Sequence, residues 1–288
     1  MPNSISNYTD AQIMKALLTH DFQYIGNTFV DDVVTAVKTG AFYNAQNLSS
    51  VSLPAVTVVK AFAFSGCTNV TIDLTWGSLV SIGREAFAGA HAGIPTSLTL
   101  SEVLQFDTGV FAGTSSARNT RLTSISMPKW TGSSYTEAGL IGGSSRGAFA
   151  YCSALASVSM PQLISVPSDF FQYCIALTEV SFPKGTSIGS SAFTNCTALR
   201  KLKLGGAVTA LSSAFLSGTS ALEALILSGV TTVPTLGASV FTNTRISSGY
   251  AYIYVPASLE ASFKLASNWS TYAAQIRAIE DYPDICNV

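Results

Sequence analysis

Short runs in which apolar and polar residues alternate return at near-constant intervals along most of the chain. Leu155, Val158 and Met160 are followed by Leu177, Val180 and Phe182, then Leu199, Leu202 and Leu204, then Leu222, Leu225 and Leu227. The alternation that closes each run is that of a strand with one buried face. An aromatic residue precedes each run, and the series Phe42, Phe64, Phe87, Phe111, Phe149, Phe171, Phe193, Phe215 and Phe241 has spacings of 22, 23, 24, 38, 22, 22, 22 and 26 residues. A strand recurring at this interval leaves no room for a long crossover helix. It finds a hydrogen-bonding neighbour only by stacking on the next strand in one parallel sheet, with the Phe of each coil filling the interior from the opposite wall. Nine coils are predicted, each relying on its neighbours to keep its inner face dry.

The units agree in wording as well as in period. Ala148-Phe149-Ala150-Tyr151-Cys152-Ser153-Ala154-Leu155, Phe171-Gln172-Tyr173-Cys174-Ile175-Ala176-Leu177 and Ala192-Phe193-Thr194-Asn195-Cys196-Thr197-Ala198-Leu199 repeat one phrase three times. The pattern Ala-Phe-x-x-Cys-x-x-Leu-x-x-Val-x-Phe-Pro, as at Ala192 to Leu204 or Phe171 to Pro183, resembles the BspA-like, or Treponema-type, leucine-rich repeat over roughly residues 40 to 256, with units such as 87–100 departing from it. The resemblance implies an α/β leucine-rich-repeat solenoid: a right-handed coil with one parallel sheet, about nine repeats, and helical N- and C-terminal caps. It further implies a non-catalytic bacterial cell-surface or secreted protein that mediates adhesion or binds a protein or glycan ligand through its concave sheet. A structural spacer or fibre component, associated with a prophage, is the alternative.

The chain accordingly divides into a cap at 1–39, the solenoid at 40–256 with an insertion at about 115–146, and a second cap at 257–288. Asp10 is placed to cap a helix whose face carries Ile13, Met14, Leu17 and Leu18, and Asp31 to cap a shorter one with Val33, Val34 and Val37. From Ser258 to Glu280, the residues Trp269, Ala273, Ile276 and Ile279 or Glu280 fall near helical spacing.

Composition narrows the classes of partner. Of 288 residues 48% are hydrophobic and 11% charged, against roughly 25% charged in an ordinary soluble domain, and mean hydropathy is +0.37. Polarity comes instead from 39 Ser and 29 Thr. The net charge is -1, so no basic excess exists to neutralise a phosphate backbone, and nucleic acid is not an expected partner. No apolar run approaches the roughly eighteen residues of a spanning helix, so no membrane insertion is expected. Met1 to Val30 lack the basic leader and apolar core of a secretory signal, so either export is absent or a signal has been removed.

Little points to catalysis. Gly143-Ser144-Ser145-Arg146-Gly147 and Gly185-Thr186-Ser187-Ile188-Gly189 match G-x-S-x-G, but the only histidines, His20 and His91, precede both serines, whereas the hydrolase order places His last. Cys67, Cys152, Cys174, Cys196 and Cys286 lack the paired spacing of a metal or redox motif. Where Cys recurs, other coils place Ala45, Ala90, Thr114, Gly218 or Thr244, which fits a small buried side chain. No cofactor and no metal is expected.

Binding residues are sought at strand positions facing away from the core. Early coils present Ser50, Ser52, Thr71, Asp73, Ser97, Thr99, Ser124, Ser126, Ser157 and Ser159, a nearly uncharged hydroxyl strip. Later coils present Glu179, Lys201, Lys203, Ile226, Tyr252 and Tyr254, where tyrosine supplies contact area with few rotors and lysine an orienting charge. The insertion is a second candidate. Phe111 to Phe149 is 38 residues where 22 is usual, an excess of 16, and the added segment carries Trp130 and Tyr135 among Gly and Ser. Trp130 is expected either at a partner surface or folded back over its own coil.

Overall fold

The computed structural model describes residues 23–25, 28–46, 48–132 and 146–286, with backbone alone at 23–25 and at position 91. Two compact units are present, Met1–Cys152 and Ser153–Val288. Numbered along the chain, the first holds β1 (Gln23–Ile25), β2 (Thr28–Val30), β3 (Ala36–Val37), β4 (Ser50–Leu53), β5 (Val58–Val59), β6 (Thr71–Leu74), β7 (Ser81–Ile82), β8 (Ser97–Thr99), β9 (Gln105–Phe106) and β10 (Ser124–Ser126). The longer strands β2, β4 and β6 pair in parallel, as do β8 and β10, and β1 closes antiparallel on β2. The two-residue strands β3, β5, β7 and β9 form a second parallel ladder.

The second unit repeats the plan. It holds β11 (Ser157–Ser159), β12 (Ser165–Val166), β13 (Glu179–Phe182), β14 (Ser187–Ile188), β15 (Lys201–Leu204), β16 (Ala210–Leu211), β17 (Ala224–Leu227), β18 (Thr235–Leu236), β19 (Tyr252–Val255) and β20 (Ile276–Ala278). Its sheets run β13-β15-β17-β19-β20 and β12-β14-β16-β18, all parallel. Most coils thus carry a short second strand beyond the single sheet expected, whose inward residue, such as Val59, Ile82, Val166 or Ile188, is buried. Two residues give no readable alternation, so this ladder leaves no trace in hydrophobic period.

The Phe turn forms the third side of the coil. Phe42 and Phe64 stack with centroids 5.1 Å apart and planes at 7°, Phe64 and Phe87 at 5.3 Å and 7°, and Phe171 and Phe193 at 5.3 Å and 19°. Residues two before and two after the Phe adopt positive φ: Gly40 and Asn44, Glu85 and Gly89, Ser191 and Asn195. These flank a chain reversal in which the Phe N–H donates to the residue preceding the next coil's Phe, as from Phe42 to Ala63 and from Phe171 to Ala192, both at 2.8 Å.

That geometry corrects one anchor. Phe193 donates to Phe215 at 2.8 Å, and the positive-φ pair there is Ala214 and Gly218, so Leu216 occupies the Phe position. Phe215 fills the place Ala takes in other coils, and both side chains are fully buried. The small residue three places on is then Thr219, not Gly218. In the coil of Phe111 it is Asn119, displaced from Thr114 by the first part of the insertion. These positions share a chemistry. The Cys67 thiol donates to the Phe42 carbonyl at 2.8 Å, Cys196 to Phe171 at 3.0 Å, the Asn119 amide to Phe111 at 3.2 Å and the Thr219 hydroxyl to Leu216 at 2.7 Å. Each supplies a buried donor to a turn carbonyl, which explains why Cys, Thr and Asn interchange.

Particular residues assigned to the caps stand elsewhere. Asp31 opens no helix. Its Oδ1 accepts from the N–H groups of Val33 and Val34 at 3.0 and 2.9 Å, closing an Asx turn, and Val37 enters β3. The ladder therefore starts ahead of residue 40, with Phe29 edge-on to Phe42 at 5.3 Å. The helix expected after Asp10 lies outside the described residues. At the other end α1 (Ala257–Leu265) and a 3-10 turn, Ser270–Gln275, lead into β20, so Ile276 sits in a strand added to β19 and not on a helix face. A 3-10 turn, Ile279–Asp281, and α2 (Pro283–Cys286) follow. Trp269 is buried edge-on to Phe263 at 4.8 Å, and its indole N–H donates to the Pro234 carbonyl at 2.7 Å, which closes the final coil.

Candidate functional site

The outward residues of the longer strands in the second unit form two rows set by strand register. One runs Glu179, Lys201, Ala224, Tyr252; the other runs Ser181, Lys203, Ile226, Tyr254, Arg277. Adjacent strands lie about 4.8 Å apart, so these side chains are true neighbours. The segment from Ile279 to Cys286 folds back across the second row. Ala224, Ile226, Tyr254 and Cys286 form a buried apolar cluster with Ile279 and Ile285 against it. Lys203 fastens the segment, its ammonium donating to the Cys286 carbonyl at 2.6 Å.

This covering corrects the expected binding surface. Ile226 is 0% and Tyr254 3% exposed, so neither reaches a partner, and Lys203 is engaged with the covering segment. Burial raises the Tyr254 phenol, with Cys286, Tyr282 and Tyr252 acting the same way and Arg277 opposing, and it raises the Cys286 thiol against the opposing pull of Lys203 and Lys201. Both stay neutral at ordinary pH. Trp130 is also interior, fully buried and edge-on to Phe106 at 5.6 Å, which resolves the alternatives in favour of folding back. Tyr135 lies outside the described residues.

What stays accessible is the first row, apart from the buried Ala224, and its margin. Glu179 is exposed, Lys201 half-buried and Tyr252 37% exposed. The Arg277 guanidinium lies 4.7 Å from the Tyr252 ring centroid and donates to the carbonyls of Ala274 and Ile276 at 2.8 and 3.0 Å, so the ring is backed by a fixed cation. Between this row and the covering segment opens a cleft of about 330 Å³, lined by Lys201, Glu223, Tyr250, Tyr252 and Asp284. Sequence reasoning missed Glu223, Tyr250 and Asp284. None stands at an outward strand position, and Asp284 arrives from far along the chain. Glu223 is held between Arg200 at 2.8 Å and Arg245 at 3.6 Å.

In the first unit the outward hydroxyls bond across coils: Ser50 to Thr28 at 3.0 Å, Ser52 to Asp73 at 2.9 Å and Ser124 to Ser97 at 2.6 Å. A groove of about 570 Å³ there is bordered by Thr68, Ala92, Thr96, Arg121 and Thr123, with the Arg121 guanidinium donating to the Ile94 carbonyl at 2.6 Å.

The G-x-S-x-G match at Gly185–Gly189 has a structural explanation. Ser187 stands in β14 with its hydroxyl donating to Ser165 at 2.8 Å, away from any strand-to-helix elbow. Gly189 is required by close coil approach, since a Cβ there would fall 2.3 Å from the Ser168 nitrogen. Ser145 lies outside the described residues. Among the described residues no cluster of His, Cys, Asp and Glu is placed to hold a metal ion, and no helix is long and apolar enough to cross a membrane.

Comparison with known proteins places these features. A family model described as BspA type leucine rich repeat region matches residues 22–134 and 144–262 in six copies. No curated protein matches the sequence significantly. A leucine-rich repeat protein from Bacteroides ovatus superposes with a TM-score of 0.60 at 20% identity, over 85% of this chain and 57% of its own, so the chain spans little more than half of that protein. The T. pallidum leucine rich repeat protein aligns at TM-score 0.41 and 21% identity over 80% of this chain and 86% of its own. A leucine rich cell surface protein from Faecalibacterium prausnitzii aligns at 0.33 and 16%, over 95% and 89%. The Bacteroides superposition shows a common solenoid fold, and with the repeat matched over most of its length this chain belongs to the BspA-type leucine-rich-repeat family of bacterial proteins.

Proposed function

We propose that the chain is a non-catalytic binding module of the bacterial surface or secretome, engaging a protein or glycan ligand through the uncovered part of the longer-strand sheet in its second unit. The observation that carries this reading is the difference in outward chemistry between the two units. In the first the outward hydroxyls bond one another, whereas the second presents Lys201, Tyr252 and the cleft lined by Glu223, Tyr250 and Asp284. Leucine-rich-repeat solenoids are typically non-catalytic. Their extended sheet surfaces commonly serve binding, and a tyrosine beside fixed charges makes an economical contact point. Adhesion is the role this would serve on a cell surface.

The test is binding of the intact chain to arrays of matrix proteins and glycans, repeated with Lys201→Ala and Tyr252→Ala. Loss of the best signal by tenfold or more in either variant is expected. Ligands that bind undiminished to both would put the working surface elsewhere. A second reading, a spacer or fibre component, draws on the first unit, where outward hydroxyls are already engaged across coils and leave a face with little to offer a partner.

A further inference from the structure

We infer that the cleft beside the covering segment is a subsite for a neutral saccharide, stacked on Tyr250 and hydrogen-bonded by Glu223, Lys201 and Asp284. This rests on the proposed binding role and names the ligand class for that surface.

Three features of the cleft lead to a sugar. The first is an exposed aromatic ring on a tied loop. Tyr250 is 72% exposed, yet the loop that carries it is closely tied: Ser247 and Ser248 hydroxyls donate to the Thr244 carbonyl at 2.8 and 3.3 Å, and the Tyr250 N–H donates to Arg245 at 2.8 Å. A ring displayed in water on an ordered loop suits stacking against the apolar face of a pyranose, with the ordering cost of the loop met before binding. The second is a set of hydrogen-bonding groups of both kinds. Glu223 is pinned between two guanidinium groups as a fixed acceptor. Among the described residues neither the Lys201 ammonium nor the Asp284 carboxylate has an ion-pair or hydrogen-bond partner. Adjacent acceptors and a donor match vicinal hydroxyls, each of which both donates and accepts.

The third is what the cleft disfavours. The lining sets Lys201 against Glu223 and Asp284, and the Arg200 and Arg245 guanidinium groups beside it are taken up by Glu223, so no uncommitted cationic excess is there to select a sulfated, phosphorylated or sialylated ligand. An extended peptide would seek unpaired backbone, but β17 pairs on both sides with β15 and β19, and β19 with β17 and β20, so the strands under the cleft offer none. At about 330 Å³ the space lies at the small end of ligand sites, roughly 300–1,000 Å³, which fits a terminal sugar better than a protein loop.

The experiment probes the intact chain with an array of neutral oligosaccharides ending in glucose, galactose, mannose or N-acetylglucosamine, with sulfated and sialylated versions alongside and matrix proteins on the same slides. Hits are followed by calorimetry and saturation-transfer NMR with Tyr250→Ala and Glu223→Gln. Tyr43→Ala, an exposed tyrosine of the first unit, is the control. Binding of a neutral glycan that weakens at least tenfold in both cleft variants and is unchanged in Tyr43→Ala supports the inference. Protein binding sensitive to Tyr250→Ala with no glycan binding overturns the saccharide and leaves the binding role standing. Preference for the anionic glycans, or glycan binding indifferent to both cleft variants, overturns the subsite. Absence of any binding overturns both readings together.

Discussion

Replacing Phe64 by Ala tests whether the stacked rings hold successive coils in register. Phe64 is fully buried between two near-parallel rings, Phe42 at 5.1 Å and Phe87 at 5.3 Å. Removing it leaves a slot whose aromatic walls stand about 10 Å apart, the sum of those two separations. The slot cannot close easily. Phe42 and Phe64 each donate to the following coil at 2.8 Å, and β4, β6, β5 and β7 fix the strand spacing on the other sides. Phe-to-Ala changes in cores cost roughly 3–5 kcal/mol, the larger values going with sites that relax least, so a loss of about 4–5 kcal/mol is expected. Phe64→Leu fills most of the slot and is the natural choice at position 216, so it should cost only about 1–2 kcal/mol, mainly ring-to-ring contact. Urea unfolding followed by circular dichroism and by the fluorescence of Trp76, whose ring lies 5.0 Å from Phe87, measures both. With a slope of about 3 kcal/mol/M the alanine variant shifts the midpoint by more than about 1 M. Hydrogen exchange should localise the loss to the coils of Phe42, Phe64 and Phe87, because repeat stability is shared between neighbours. A cost below about 1 kcal/mol for alanine, or equal costs for alanine and leucine, would refute the reasoning.

Three further outcomes follow from the same geometry. Gly189→Ala places a methyl against the Ser168 nitrogen and should lose about 2–3 kcal/mol, while Ser187→Ala in the same motif gives up one exposed hydroxyl bond and stays within about 1 kcal/mol of wild type; thermal melts compare them. Burial pushes the Cys67 and Cys196 thiols up to about 12 from 9.0, so above pH 9 the unfolded chain sheds protons that the folded chain keeps, and stability falls as pH rises towards 12. The loss is about 1 kcal/mol per thiol between pH 9 and 10, and a double Cys67→Ala, Cys196→Ala variant should show a drop shallower by about 2 kcal/mol in urea titrations at the two pH values. Ile226→Ala, at an outward strand position, should cost about 2–4 kcal/mol and speed hydrogen exchange at Ile285 and Cys286, whereas Ser181→Ala in the same row should be near neutral.

Much of the coil was legible because its determinants are local and repeated. Leu155 to Met160 and its successors alternate as one-face-buried strands do, and Phe spacing reports the pitch of the stack. Errors arose where a substitution preserved burial and changed residue type. Phe215 beside Leu216 satisfies an aromatic search at the wrong position, and only the positive φ values at Ala214 and Gly218 reveal the register. The Asp31 error has the same origin. A side-chain oxygen bonding N–H groups two and three residues ahead serves an Asx turn as well as a helix start, and what separates the two is whether the chain that follows has a strand waiting for it, here β5 beside β3.

The candidate site was harder to read, because the rule that located it assumes the outward face is wet. In β13 and β15 the rule works, with Glu179, Ser181, Lys201 and Lys203 alternating against buried partners. In β17 it fails: Ala224-Leu225-Ile226-Leu227 is apolar without interruption and buried throughout. An unbroken apolar strand signals burial on both faces, so the run itself required a cover, although nothing near it in sequence supplied one. The cover is Ile279 to Cys286, brought back by α1 and β20 after the chain has passed Tyr252 and Tyr254. The same return creates the cleft, since Asp284 and Ile285 form the wall opposite Tyr252. Covering two apolar coils and building a recessed site at their margin are therefore one structural event. A variant that releases the covering segment should abolish cleft-dependent binding even if Tyr250, Glu223 and Lys201 are untouched. Lys203→Met, which removes the ammonium donated to the Cys286 carbonyl while keeping an apolar side chain of similar length, is the mildest such change. A tenfold weaker ligand affinity, with the urea midpoint lowered only slightly, is expected. Unchanged affinity together with faster exchange at Ile285 would show that the segment covers the sheet without shaping the site.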